Sequence, residues 1–238
     1  MITDATRRGI DETVQAIVRA TPQVVTGCLL LNGALIAAPS HLPVYPIDAP
    51  SRFVCHPGRD IPLAIAAMRL LGVDVAPDLT PWVFDRALRT GFLVHAYAPN
   101  GLPSSQGPDR DGSRLIAAAI GHIQHPNRVL LAEGASTRPA ESIDDLIDRI
   151  VDATPANTTP GDLAPLWTEI MRVVRAGRTA DRETTRDRVR AIAALADGHA
   201  HLPEWQFRAG SPKPPSPSLS AHCAFVIAAR AAGFLIPG

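Results

Sequence analysis

The chain has one lysine, three cysteines, few aromatics and only short apolar runs, and each shortage narrows what it can be. Of its 23 basic residues only Lys213 is lysine, and 23 acidic residues bring the formal net charge to zero. Such a chain has no overall field to draw it to nucleic acid or to an anionic membrane surface. At 5% of the sequence, aromatics are too few for a platform that stacks single-stranded bases. Nucleic acid is therefore an unexpected partner. Cys28, Cys55 and Cys223 are an odd, sparse set, which argues against a disulfide framework and fits free thiols in a reducing cytoplasm. Runs such as Cys28–Leu31 and Ala34–Pro39 fall well short of the roughly 20 apolar residues that a membrane span needs. The opening MITDATRRGIDE carries acids and no apolar core, so no secretory signal is expected.

What is present describes a globular protein. With 238 residues, 46% of them hydrophobic, the chain can bury a substantial core. Residues 4 to 20 have the spacing of an amphipathic helix, with Ile10, Val14, Ile17 and Val18 on one stripe. Over 24 to 38 two readings compete. Thr21-Pro22 can start a helix, but Val24-Val25 and an Asn32-Gly33 pair between apolar runs favour a hairpin. Strands are expected at 52–55, 92–98 and 128–132. Helices are expected at 60–71, 80–90, 113–125 and 140–152, and a loop at 99–112. Strands alternating with helices predict an α+β fold, with a mixed α/β N-terminal domain over 1–153.

Beyond ATPANTTPG the character changes. Residues 154–238 are expected to form a helical region: an αα-hairpin over 160–198, a proline-rich linker or tether at 211–218, and a nearly all-apolar helix at 219–232. That last helix must be buried, either against the body or against a partner.

Candidate chemistry is sparse. The GxGxxG and GxxxxGK[ST] fingerprints are absent, so no nucleotide cofactor is expected. Cys55 ends a predicted strand, and His56-Pro57-Gly58-Arg59 leads into a helix. A thiol near helix N-terminal amides and an arginine can have a lowered pKa, which makes Cys55, His56 and Arg59 a candidate catalytic group for a small-molecule hydrolase or transferase. Asp109-x-Asp111-Gly112 has the spacing of the middle of a calcium loop, but Ala118 stands where the bidentate glutamate belongs.

Asp197, His199, His201 and the following Leu202 resemble the opening motif of metal-dependent amidohydrolases, which implies two histidine metal ligands at a strand end. Here a predicted helix, not a strand, precedes Gly198. A helix C-cap with Gly198 in the left-handed turn accounts for the same residues, leaving His199 and His201 as a weak metal alternative.

Charge patterning is the most quantitative feature. Residues 172 to 190 carry seven arginines against three acids, and Arg182, Arg186 and Arg190 recur every four positions on one helix face. Residues 141 to 152 carry five acids and one arginine, with Asp144, Asp148 and Asp152 likewise spaced. The stripes can face solvent, each other or a second copy. Together with the apolar terminal helix they point to a soluble cytoplasmic binding or assembly protein, associating with itself or with a protein partner and lacking a complete catalytic constellation.

Overall fold

The computed structural model describes residues 4–37, 54–98, 100–105, 107–121, 138–156, 165–204 and 217–234. Within them lie eight helices: α1 (Asp4–Cys28), α2 (Pro57–Leu70), α3 (Ala76–Thr90), α4 (Arg110–Ile120), α5 (Ile143–Ala153), α6 (Leu166–Gly177), α7 (Arg182–Ala193) and α8 (Leu219–Ala231). The expected strand at 128–132, the end of the expected 113–125 helix with His122 and His125, and most of the proline-rich tether fall outside the described residues.

The α+β expectation is overturned. Among the described residues β-pairing is confined to isolated bridges, Leu29 with Leu35, Cys55 with Tyr97 and Tyr97 with Pro103. Two features keep these pairs from growing into a sheet. Cys55 is followed within two residues by Pro57 and the start of α2, and Pro103 has no N–H with which to extend a ladder. Short apolar runs such as Phe92–Ala98 fit a buried connection as well as a strand, and periodicity alone does not separate the two.

The expected 24–38 hairpin is likewise replaced by helix as far as Cys28. A proline inside a helix costs about 3 kcal/mol. Burying Val24, Val25 and Cys28 on the stripe already formed by Val14, Ile17 and Val18 returns roughly 1.5–3 kcal/mol for each larger side chain, so α1 runs through Pro22. Only the hairpin's turn remains: the Gly33 N–H donates to Leu30 O and the Leu30 N–H to Ala34 O, both at 2.8 Å. Gly33 has a φ of +81°, and a Cβ there would come within 3.1 Å of Asp78 O and Trp82 Cβ.

Helix starts follow local chemistry. Asp109, Ser142, Asp181 and Ser218 cap α4, α5, α7 and α8 by accepting a backbone N–H in the first turn. α4 thus begins at Arg110, three residues before its expected start, and Gly112 lies inside it.

α8 is the axis of the molecule. Leu219 to Ala229 are all buried, enclosed by α1, α2, α6 and α7. Of the two expected alternatives for the terminal helix, it is the return to the body that the packing shows. α6 and α7 pack on each other, α2 also meets α4 and α5, and α5 meets α6. Buried side chains from both expected domains belong to one core cluster. Among the described residues no helix is long and apolar enough to cross a membrane.

Candidate ligand-binding site

The first turns of α2 and α4 cross at Gly58 and Gly112. A Cβ on Gly58 would lie 2.5 Å from Gly112 Cα, and one on Gly112 would lie 2.6 Å from Gly58 Cα, so the two backbones touch with no room for a side chain. Asp109 locks the crossing. Its Oδ1 accepts the Gly112 N–H at 2.9 Å, and its backbone oxygen accepts the Ser113 hydroxyl at 2.6 Å.

Beside the crossing, where α5 ends and α6 begins, lies a cavity of about 160 Å³. Its apolar wall includes Pro62 and Leu63 of α2, Leu115 of α4 and Ile150 of α5, with Trp167 of α6 alongside. The polar part is Arg59, Asp109, Asp111 and Thr154, and Ala153 stands exposed at the rim.

Arg59 dominates the electrostatics. Its Nε donates to Asp60 Oδ1 at 2.6 Å and its Nη2 to Asp60 Oδ2 at 3.1 Å, while its Cζ lies 5.9 Å from the centre of the Trp167 ring. The Asp60 side chain is fully buried and that of Arg59 is 21% exposed. Burial works against the guanidinium's charge, but Asp60, reinforced by Glu204, outweighs it and holds the pKa above its ordinary value. Asp60 uses the Nε–Nη2 edge, and no described residue accepts from Nη1.

The three residues of the predicted catalytic turn part company. Cys55 is fully buried, pairs its backbone with Tyr97, and lies outside the cavity wall. Burial and then Asp60 push its thiol well above the ordinary range, and Arg59 offsets only a small part of this. That is the reverse of an activated thiolate. His56 is half-buried at the α2 N-cap, with Nδ1 3.2 Å from His95 O, which requires Nδ1 to carry the proton. Burial and then Arg59 lower its pKa. Of the three, only Arg59 lines the cavity. His95, 64% exposed, brings Nδ1 to 3.4 Å from Asp109 Oδ1.

The charged stripes are joined to neighbours within the chain. Asp148 and Asp152 meet Arg178, in the turn after α6, at 2.5 and 2.9 Å, while Asp144 is exposed. Arg190 is ringed by Asp11 of α1 at 2.8 Å, Glu183 at 3.0 Å and Asp187 at 2.8 Å. Arg182 donates to the Ala232 and Gly233 carbonyls at the end of α8. Arg186 lies over the Phe234 ring at 5.1 Å. The two stripes therefore do not meet each other.

At the histidine motif, α7 ends at Ala193, well before Gly198. The left-handed residue is Ala200, with φ +61°, and not Gly198. Asp197 Oδ1 accepts the backbone N–H groups of His199 at 2.8 Å and of His201 at 2.9 Å, which turns the chain. Among the described residues no group of three or more His, Cys, Asp or Glu side chains is arranged to hold a metal ion.

His222 is the most constrained histidine. The Leu202 N–H donates to its Nε2 at 3.0 Å, so the proton sits on Nδ1, 3.3 Å from the Thr21 hydroxyl, which itself donates to Ile17 O at 2.9 Å. Burial, then the charge of His201, lowers its pKa to about 3. It ties α8 to α1 and to the 197–202 turn as a neutral group. Asp109 was read only within an incomplete calcium-loop spacing, and Trp167 was missed. The capping position of Asp109 was legible only with the helix start moved to Arg110, and nothing in the sequence marks Trp167 as a cavity wall.

Comparison with protein-family models, with curated proteins and with solved structures finds no match for this chain.

Proposed function

We propose that the protein is a helical binding protein for a small molecule, seated in the cavity bounded by α2, α4, α5 and α6. The observation that carries this reading is Arg59 in the cavity wall: a mostly buried guanidinium with one edge on Asp60, beside an indole and an aliphatic wall. Small-molecule sites combine a mainly apolar wall with a few converging polar groups, and this one has that composition. We extend the reading to a cytoplasmic location. Its support is that Cys28, Cys55 and Cys223 are all free and buried, the state of thiols in a reducing compartment.

The test is a thermal-shift screen of the whole chain against small metabolites, run in parallel on Ala153→Trp, which adds bulk at the exposed rim without touching the core. At least one compound should raise the melting temperature of the wild type and leave the variant unmoved. A screen without hits, or hits indifferent to Ala153→Trp, overturns the reading.

One observation favours a hydrolase or transferase as a second reading: the exposed His95 beside Asp109, a base and its orienting carboxylate at the edge of the same cavity. In this reading His95 is the base and the buried Cys55 is not the nucleophile. If the protein is such an enzyme, His95→Gln abolishes turnover of any ligand found by the screen while its binding is retained.

A further inference from the structure

We infer that the cavity takes a small aliphatic zwitterion, an α-amino acid of about leucine's size, with its carboxylate on Arg59 and its ammonium at Asp109 and Asp111. The inference deepens the binding function proposed above and rests on it. It follows from the signs of charge around a small space. The wall holds one guanidinium and two carboxylates, with the Asp60 carboxylate directly behind the guanidinium. A simple anion at Arg59 shares the cavity with Asp109 and Asp111, and a simple cation at those carboxylates shares it with Arg59. Beside the buried Asp109 each mismatch is costly. A molecule carrying both signs a few bonds apart satisfies both.

The hydrogen-bonding edges agree. Asp60 takes the Nε–Nη2 edge of Arg59, which leaves Nη1, where no described residue accepts, for an incoming carboxylate. Asp109 is buried to 7% exposure and already accepts from Gly112 through Oδ1, with His95 3.4 Å from the same oxygen, whereas the Asp111 side chain is 84% exposed at the rim, where its Oδ1 pairs with Arg114 at 3.1 Å. An ammonium near the mouth therefore reaches one fixed and one adaptable carboxylate. The carbonyls of Val151 and Thr154 at the end of α5 receive Arg175 and are not needed as partners. Pro62, Leu63, Leu115 and Ile150 present hydrocarbon opposite these charges, which selects an aliphatic side chain over a polar one.

The experiment is isothermal titration of the full chain with four probes of nearly equal shape: L-leucine, N-acetyl-L-leucine without the positive charge, L-leucine amide without the negative charge, and 4-methylpentanamide with neither. Leucine is expected to bind saturably, and each of the other three about tenfold or more weaker. Asp111→Asn, at an exposed position that leaves the fold intact, should weaken leucine about tenfold and leave N-acetyl-L-leucine unchanged or tighter. Arg59→Lys should weaken leucine and spare leucine amide. If Arg59→Lys fails to fold, the Asp111→Asn arm decides alone. Binding of N-acetyl-L-leucine or 4-methylpentanamide as tight as leucine, and abolished by Ala153→Trp, overturns the zwitterion inference while leaving the cavity as a binding site. No binding by any of the four also overturns it, and the wider metabolite screen then judges the cavity separately.

Discussion

Two arginine-bearing regions of this molecule contrast. Around the far end of α8, Arg190 is enclosed by three carboxylates, Arg182 caps two carbonyls, and the Phe234 ring lies within 6 Å of both Arg186 and Arg190. At the corner of α2, α4, α5 and α6, Arg59 has a single carboxylate bonded along one edge and a cavity before it. The same side chain serves structure where other elements enclose it, and is available for recognition where a cavity lies before it. Arginine spacing along a helix does not tell these cases apart, because the acceptors come from other elements.

The comparison can be broken most sharply at Arg59. Arg59→Ala leaves the fully buried Asp60 without its cation, and removing one partner of a buried pair costs about 3–5 kcal/mol. The double variant Arg59→Leu, Asp60→Asn should recover most of this in denaturant unfolding, since both charges are then gone. A single variant within about 1 kcal/mol of the wild type would mean that the corner is as well supplied with partners as the α8 end.

On the closed side, His222 makes stability depend on acid. Its pKa in the folded state is about 3, against an ordinary value of 6.5. Between those values the unfolded chain binds a proton that the folded chain refuses. The contribution is therefore complete above pH 6.5 and is lost as pH falls toward 3, at about 1.4 kcal/mol per pH unit. Urea unfolding at pH 7.5 and 5.0 should differ by about 2 kcal/mol from this group. His222→Gln should remove that share of the slope, while His56→Gln, whose target is lowered in the same direction but only half-buried, should remove less. An unchanged slope in His222→Gln would show that the ring is not held neutral.

Gly112→Ala probes the crossing that shapes the open corner. The new methyl must displace the Gly58 backbone or the Asp109 carboxylate, an overpacking cost of about 1–3 kcal/mol, read as a fall of about 2–4 °C in melting temperature per kcal/mol. Ligand binding should weaken in the same variant, as the cavity beside the crossing is distorted. Arg190→Ala, by contrast, should cost about 2 kcal/mol, because its three carboxylates are partly exposed and can relax into solvent. It should leave ligand binding untouched. Arg178→Ala sets the floor: its pairs with Asp148 and Asp152 are exposed, and the loss should stay below about 1 kcal/mol and shrink with added salt.

Much of the helical framework was legible because it rests on short-range chemistry. Gly91 ends α3 in the left-handed conformation with its N–H on Ala87 O, and Pro57 and Asp60 mark the first turn of α2. The paired helices α6 and α7, and the need to bury 219–232, follow from spacing and composition. The strands were misread for the opposite reason. Whether Phe92–Ala98 becomes a strand depends on what lies beside it, and its neighbours there are Cys55, which runs straight into a helix, and Pro103, which cannot donate.

The site divides along the same line. His56 and Arg59 were visible as a polar turn leading into a helix, but which side chain faces the core and which the cavity is set by rotation about α2, and that is decided by Asp60 and by the Gly58–Gly112 contact. The amino-acid sequence by itself determined the stop of α3 at Gly91 and the polar first turn of α2, that α8 had to be covered, and that charge would be balanced and carried by arginine, since caps, periodicity and composition act within a few residues. Only the tertiary structure decided that α8 is covered by its own chain, that Cys55 is inert and Arg59 is not, and that a cavity exists at all. Its walls come from helices up to about a hundred residues apart, and space between elements is a property of their packing that no local pattern encodes.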